Sequence, residues 1–333
     1  MDNLRLSSMN CFTVASLDRM GTKRRVDTWV AKQLKKPTTC FVPVWRSMNL
    51  FSREDKFRPV LPSYTDLGDL IDTVESLTFL GQEDKVAYFA TGLPSSDNIV
   101  PDAMIRFGEF KDLRKVGVMI DGRENSLLAY ARAITYWHQR NRFCGDCGSP
   151  TSSAEGGHML VCTNKQCLQQ HFPRTDPAII VLVTFGENCL LGRQAIWPEK
   201  WYSTIAGFVD PGESIENSVV REVLEETGIQ INKVFYHSSQ PWPFPGSVML
   251  GFTAEAGHNK IMTDLSELED ARWFSRMDML RSLKKGSLRL PPRISIAYRL
   301  IEDWFNAGNL GRLEKSMDGV WQAKEWESFK DSS

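Results

Sequence analysis

The sequence predicts an α/β protein in which a sandwich of helices around a mixed sheet follows a cysteine-rich segment. Three apolar runs, at residues 178–185, 189–191 and 247–253, are typical of strands. Two runs with apolar residues at helical spacing, 215–226 and 294–304, are mixed with them. Strands and helices in this arrangement form a sheet that is covered by helices.

Length and charge limit the classes of protein to consider. The chain has 333 residues, 42% hydrophobic and 24% charged, which is typical of a globular protein with more than one folding unit. Its formal net charge of −1 argues against binding nucleic acid or membranes through bulk charge. No apolar run is long enough to span a bilayer, and residues 1–25 lack the apolar core of a secretory signal. We therefore expect no membrane partner and a cytoplasmic location. An organellar presequence stays open as the alternative, because residues 1–25 contain serines and basic residues, although Asp2 and Asp18 weigh against it.

The amino-terminal part of the chain carries no chemical motif. Short apolar runs such as 77–80 and 86–89 alternate with polar loops across residues 1–125, where we expect an α+β domain. Apolar residues at helical spacing over 127–138 then predict a connecting helix within residues 126–141.

The chain has seven cysteines, and four of them form a tight quartet: Cys144, Cys147, Cys162 and Cys167. An odd total with one quartet is typical of a metal site in a reducing compartment, and not of a disulfide framework. Four thiolates fill the tetrahedral positions of Zn²⁺, so we predict one structural zinc per chain within residues 142–173. The alternative, four unrelated buried cysteines, is disfavoured because their neighbours are glycines and polar residues. Cys189 lies in an apolar run and is expected to be a small buried side chain.

A longer motif occupies residues 207–229: Gly207, five residues, Glu213, seven residues and then Arg-Glu-Val-Leu-Glu-Glu-Thr-Gly-Ile. It places Glu222, Glu225 and Glu226 at positions i, i+3 and i+4, on one face of a helix. Crowded carboxylates repel one another, and a hard divalent cation such as Mg²⁺ or Mn²⁺ relieves this and binds phosphate oxygens. The alternative, a solvated acidic helix face, does not explain the Gly-x5-Glu loop.

The rest of the same helix is predicted to be structural. A Pro-Gly turn precedes it, and Gly228 suits a left-handed cap at its end. Arg221 can pair with Glu225 one turn later. Four apolar residues are expected to pack onto the sheet: Val219, Val220, Val223 and Leu224.

A loop with alternating prolines occupies residues 239–247. The prolines stiffen it and hold Trp242 and Phe244 at low entropic cost, so the rings are suited to stacking on a base or a nicotinamide. By itself such a run favours the alternative, a rigid surface loop or a ligand for an SH3 domain.

The motif over residues 207–229 resembles the signature of the Nudix hydrolase superfamily. The cysteine quartet before it, the Pro-Arg step after Phe172 and the loop after it resemble the NADH pyrophosphatase branch of these enzymes. The resemblance covers about residues 127–304. It implies a Nudix α/β/α sandwich with a mixed sheet at 174–308, a zinc ribbon before it, an NADH-pyrophosphatase-like domain at 1–125 and a tail at 309–333.

The resemblance also implies an activity: metal-dependent hydrolysis of NAD(H) to AMP and nicotinamide mononucleotide by a homodimer. Bacterial members also remove NAD caps from RNA. The implied catalytic residues are Glu222, Glu225 and Glu226. The implied ligands of Mg²⁺ or Mn²⁺ are the Ala206 carbonyl, these three carboxylates and Glu267.

Twelve residues are implied to contact the substrate: Phe172, Phe208, Gln240, Pro241, Trp242, Pro243, Phe244, Pro245, Gly246, Ser247, Met249 and Ala297. Two features depart from the family pattern. The second cysteine pair has four intervening residues where many bacterial members have two, and Phe172 replaces the usual Tyr. Three alternatives stay open: hydrolysis of ADP-ribose or dinucleoside polyphosphates, a non-catalytic nucleotide sensor, and a zinc-ribbon RNA-binding module.

Overall fold

The computed structural model describes residues 2–13, 16–94 and 102–316. Contacts divide the chain into a first unit (residues 1–13, 176–241 and 247–333) and a second unit (residues 14–175 and 242–246). Residues 317–333, which make up most of the predicted tail, lie outside the described residues.

The strands are β1 (Cys40–Trp45), β2 (Met48–Phe51), β3 (Ser76–Glu83), β4 (Val86–Gly92), β5 (Glu109–Lys111), β6 (Thr151–Ala154), β7 (Met159–Cys162), β8 (Gln170–His171), β9 (Asp176–Phe185), β10 (Asn188–Arg193), β11 (Ile205–Phe208), β12 (Ile231–Trp242), β13 (Ser247–Ala256) and β14 (Asp270–Ser275). The helices are α1 (Asn3–Ser8), α2 (Asp27–Leu34), α3 (Tyr64–Leu67), α4 (Asp102–Ile105), α5 (Leu113–Val116), α6 (Gly122–Arg140), α7 (Ile215–Thr227), α8 (Arg276–Lys284), α9 (Ile296–Asn306) and α10 (Leu313–Ser316).

The first unit is built on a mixed sheet in the order β12-β13-β9-β10-β14, with β11 also paired to β9. Strand β9 runs antiparallel to β10 and β11 and parallel to β13. Each of the five predicted strands and helices of this region is present, within a few residues of its predicted ends. The structure adds β11, β12, β14 and α8, which the sequence patterns did not predict.

Helices cover both faces of this sheet. Alternate residues of β9 point to opposite faces, so its buried side chains pack against the helices on both sides. Ile179 and Val181 pack with Val219 and Val223 of α7. Ile180 and Leu182 pack instead against a cluster supplied by α8 and α9, in which Cys189 is fully buried as predicted. The predicted α/β/α sandwich is confirmed.

The prediction that α7 also buries Val220 and Leu224 was wrong. Val220 is 36% exposed and Leu224 is 45% exposed. Each follows its buried neighbour, Val219 or Val223, by one residue, which is a rotation of about 100° around a helix. The face of α7 that packs on the sheet is therefore narrower than predicted and contains Val219 and Val223 but not Val220 and Leu224.

The second unit contains a sheet in the order β3-β4-β1-β2-β5 and a separate small sheet, β6-β7-β8. Helix α6 begins at Gly122 after an Asp121 cap, earlier than predicted. It packs on the larger sheet, where the Asn49 side chain donates to the Leu128 carbonyl at 3.4 Å. The small sheet adjoins the same domain, since His158 Nε2 lies 2.8 Å from the Phe79 carbonyl oxygen. These are the expected α+β domain and the cysteine-bearing segment.

Across the described residues, no helix combines the length and the apolar character that crossing a membrane requires.

Candidate active site

Helix α7 is fixed at both ends by its own sequence. The Ser214 hydroxyl caps its start by accepting from the Asn217 N–H. Gly228 ends it at φ +68°, with its N–H bonded to the Leu224 carbonyl at 2.8 Å, as predicted. The acidic face of the helix is therefore held along a defined direction.

Three carboxylates meet beside this helix. Oxygens of Glu222, Glu226 and Glu267 all lie within 4.8 Å of one another. Glu225, the other predicted carboxylate, is outside this set and half exposed, paired with Arg221 at 3.0 Å. The structure thus brings together three of the four predicted acidic ligands.

Glu267 reaches the cluster on a loop that is tied to the end of α7. The Met262 N–H donates to the Thr227 carbonyl at 2.8 Å, and the Asp264 N–H donates to that of Glu226 at 3.1 Å. Asp264 Oδ1 then accepts from the Ser266 N–H at 2.8 Å, and its carbonyl accepts from the Glu267 N–H at 3.2 Å. The sequence did not predict Asp264, although Asp-x-Ser is a typical Asx turn.

Arg221 forms ion pairs with three glutamates at the acidic face of α7. Its guanidinium lies 2.7 Å from Glu213, 2.9 Å from Glu222 and 3.0 Å from Glu225. The hydrogen bonds from Arg221, and then that from Ser218, lower the pKa of Glu213 to about 2. Glu213 is therefore a structural anchor for Arg221, which explains why the motif places an acid there.

The three carboxylates of the cluster carry more negative charge than Arg221, which pairs with Glu222, can balance. Burial, and then the carboxylates of Glu222, Glu267 and Glu225, raise the pKa of Glu226 to about 8. In the described part of the chain, no basic side chain pairs with Glu226. Oxygen donors at this spacing fit a hard divalent cation such as Mg²⁺ or Mn²⁺.

A glycine makes room for this arrangement. A β-carbon at Gly207 on β11 would lie 2.0 Å from the Cδ atom of Glu222. Ala206, whose carbonyl is a predicted ligand, directly precedes it on the strand and is exposed. The motif begins with glycine because the carboxylate occupies the space of a side chain.

The four predicted zinc ligands converge in the second unit. All four sulfurs lie within 4.8 Å of one another, with 3.8 Å between Cys144 and Cys167 and 3.4 Å between Cys147 and Cys162. Tetrahedral Zn–S bonds of about 2.3 Å place sulfurs about 3.8 Å apart, so the quartet fits zinc. Hydrogen bonds from Ser149 lower the pKa of the Cys147 thiol to about 6, whereas burial raises the pKa of the Cys162 thiol to about 12.

Several predicted substrate residues lie in the first unit. Ala178 on β9 pairs with Phe208 on one side and Met249 on the other, so the latter two side chains share a sheet face. Met249 packs on the cluster that contains Ala297, which is only 2% exposed. Phe208, in contrast, is 60% exposed and available to a ligand.

Gln240 is used inside the protein. Its side chain is fully buried and donates to the Ile294 carbonyl at 2.8 Å and the Cys11 carbonyl at 3.2 Å. Its Oε1 accepts from the Ile296 N–H at 2.8 Å. The side chain ties the end of β12 to the start of α9, and substrate contact by Gln240 stays a prediction. Pro241, which is exposed, directly precedes residues 242–246 in the chain, and Ser247, which is half-buried, directly follows them. Both belong to the first unit.

The remaining predicted substrate residues lie in the second unit: Phe172, Trp242, Pro243, Phe244, Pro245 and Gly246. Phe172 is 61% exposed. The Trp242 and Phe244 rings pack edge to face, with centroids 4.9 Å apart. Arg132 on α6 contacts this loop, although nothing in the sequence singled it out except a charge within an apolar helical pattern.

Family models match three consecutive parts of the chain. A NADH pyrophosphatase-like rudimentary NUDIX domain matches residues 38–137, a NADH pyrophosphatase zinc ribbon domain matches 139–172, and a NUDIX domain matches 174–294. The chain belongs to the NADH pyrophosphatase family of Nudix hydrolases.

Relatives that match over most of their own length agree with this membership. The human NAD-capped RNA hydrolase NUDT12 is 33% identical over 89% of this chain and 73% of its own. The NAD-capped RNA hydrolase NudC of Stutzerimonas stutzeri is 44% identical over 63% of this chain and 72% of its own. The NAD-capped RNA hydrolase of Schizosaccharomyces pombe is 32% identical over 89% of this chain and 94% of its own. The similarity to this Nudix family therefore extends beyond the motif to most of the chain.

Proposed function

We propose that this chain hydrolyses the pyrophosphate bond of NAD(H), giving AMP and nicotinamide mononucleotide, and that it also removes NAD caps from RNA 5′ ends. The observation that carries the proposal is the cluster of Glu222, Glu226 and Glu267 against Gly207. The substrate is supported by the relatives, among them the human NAD(P)H pyrophosphatase NUDT13, 37% identical over 69% of this chain and 72% of its own.

The cation in this proposal is Mg²⁺ or Mn²⁺, held by Glu222, Glu226 and Glu267 together with the Ala206 carbonyl. When bound, it polarises a phosphoryl oxygen, lowers the pKa of a water and neutralises charge on the leaving phosphate. Glu225 is the remaining candidate, either as a further ligand or as the base that takes the proton of the attacking water. Its contact with Arg221 keeps its carboxylate beside the cluster.

The substrate residues in this proposal are the twelve predicted from the resemblance. Trp242, Phe244, Phe172 and Phe208 supply ring faces for the base or the nicotinamide, and stacking on such faces stabilises each bound base by about 1–3 kcal/mol. The prolines at 241, 243 and 245 reduce the entropy that is lost when the loop binds.

The wider setting is also a proposal. We propose one structural zinc per chain, a homodimer and a cytoplasmic location, the last supported by a cysteine quartet typical of reducing compartments. We also propose the division at residues 125, 141, 173 and 308; its boundaries at 141 and 173 are supported by family models that match 38–137, 139–172 and 174–294. Light scattering in solution tests the dimer, and a fluorescent fusion tests the location.

The activity is tested by incubating the pure protein with NADH and Mn²⁺ and identifying the two mononucleotides by mass. Glu226→Gln is the control: kcat should fall by orders of magnitude while the circular dichroism spectrum and zinc content stay unchanged. Near-normal turnover by this variant would contradict the assignment. Parallel rates on ADP-ribose, a dinucleoside polyphosphate and NAD-capped RNA would show whether another substrate is preferred.

A further inference from the structure

Arg132 is a charged side chain in the interior of the second unit. It projects from α6 and is only 5% exposed. Its Nε donates to the Pro243 carbonyl at 2.6 Å, and its Nη1 donates to the Ser47 carbonyl and lies 3.4 Å from Asp112 Oδ1. A buried guanidinium is costly unless its donors are bonded, so its presence on a core-facing helix points to a specific task.

The Pro243 carbonyl explains why a donor is needed there. The backbone nitrogens of Pro241, Pro243 and Pro245 carry no hydrogen, so the loop lacks the regular donors of a β-hairpin. A carbonyl buried in such a loop requires a donor from elsewhere. Arg132 provides one from α6, the helix that packs on the larger sheet of the second unit.

The same guanidinium also contacts one of the loop's rings. Arg132 Cζ lies 4.6 Å from the centroid of Phe244, and Arg114 Cζ lies 5.1 Å from it. Asp112 lies next to both cations, with its Oδ2 3.7 Å from Arg114 Nε. Trp242 packs edge to face on Phe244, so the ring that these cations contact is also in contact with the loop's other ring.

We propose that Arg132 is a positioning residue that sets the conformation of the 242–246 loop, and that supporting this loop is a function of α6 and the sheet on which it packs. The inference rests on the proposed function, in which the loop's rings bind the base or the nicotinamide of the substrate. Arg132 itself touches no reacting atom. It acts through Pro243 and Phe244.

The test compares ligands that use the rings with a ligand that does not. Arg132→Met keeps the length of the side chain and removes its donors and charge. We expect KM for NADH to rise about tenfold, a loss of about 1.4 kcal/mol, with a smaller change in kcat. The inhibition constant of AMP or of nicotinamide mononucleotide should rise by a similar factor. That of inorganic pyrophosphate, which has no ring, should stay within about twofold.

Three further variants keep the test decisive. Arg132→Lys retains one charged donor and should recover part of the lost affinity, and Arg140→Met removes an exposed arginine from the same helix as a matched control. If Arg132→Met does not fold, Arg132→Lys and Arg114→Met carry the comparison. Equal losses for pyrophosphate and the mononucleotides, or an unchanged KM in folded variants, would overturn the proposal. Failure of the wild-type protein to cleave NADH would instead refute the proposed function.

Discussion

A β-carbon on Gly207 would lie 2.0 Å from Glu222 Cδ, so the carboxylate occupies the space where a side chain would be. Gly207→Ala should therefore displace Glu222 from Glu226 and Glu267 and disrupt cation binding. We expect kcat to fall about 100-fold or more with the fold retained, since loss of a positioned charge typically costs that factor. Steady-state rates with Mn²⁺ measure the effect.

The control for this prediction is Gly21→Ala, because a β-carbon at Gly21 meets no atom within 4 Å. It should leave activity unchanged. An alanine at position 207 that kept near-normal turnover would mean that the carboxylate can move without loss, which contradicts the role given to Glu222.

The cysteine quartet predicts a metal content that can be counted. Cys167→Ser should lower bound zinc well below one per chain and lower the melting temperature, because a structural zinc stabilises the fold that holds it. Elemental analysis and thermal denaturation measure both. Cys40→Ser, at a cysteine outside the quartet, should retain the metal. Full zinc occupancy in the Cys167 variant would rule out a four-cysteine site.

Helix α7 shows what local sequence can predict. Residues 215–226 were predicted and Ile215–Thr227 is observed, because the Ser214 cap, the apolar spacing and Gly228 are all local signals. The nearness of Glu222 to Glu226 follows from the same helical period. Their approach to Glu267 does not, because it depends on a loop that bonds to the end of the helix.

Other features depend on tertiary packing and left no local signal. The spacing could not separate buried Val219 and Val223 from exposed Val220 and Leu224, since all four are apolar. Arg132 looks like an ordinary helical residue, and its partner Pro243 is 111 residues away. Such pairs require the three-dimensional structure.

The loop that carries Glu267 predicts a metal-affinity variant. Asp264→Ala removes the acceptor for the Ser266 N–H and hydroxyl and should loosen Glu267. Groups that orient a metal ligand typically contribute 10- to 100-fold in affinity. We expect the Mn²⁺ concentration for half-maximal activity to rise about tenfold, with kcat at saturating Mn²⁺ less affected.

The matched control is Glu255→Gln, which removes an acid from an exposed ion pair with Lys233. Its Mn²⁺ dependence should equal that of the wild type. An unchanged Mn²⁺ dependence in the Asp264 variant would show that Glu267 needs no support from this turn.

Buried His158 predicts how stability changes with pH. Desolvation by burial lowers its pKa from 6.5 to about 4, so the folded state holds the neutral ring, near Phe79 O and Tyr130 Oη. The unfolded chain takes up a proton below about pH 6.5 and the folded chain does not until about pH 4. His158 therefore stabilises the fold fully above pH 6.5. That contribution is lost as the pH falls, and the free energy of unfolding is about 3 kcal/mol lower at pH 4 than above pH 6.5.

Urea denaturation at pH 7, 6 and 5, with zinc content checked at each pH, measures this dependence. His158→Asn removes the titrating ring and keeps an N–H donor, so it should lose less stability than the wild type over the same interval. If the free energy of unfolding changes equally with pH in the two proteins, the pKa of His158 does not differ between the folded and unfolded states. His138, whose pKa burial also lowers, accounts for part of any slope that remains in the variant.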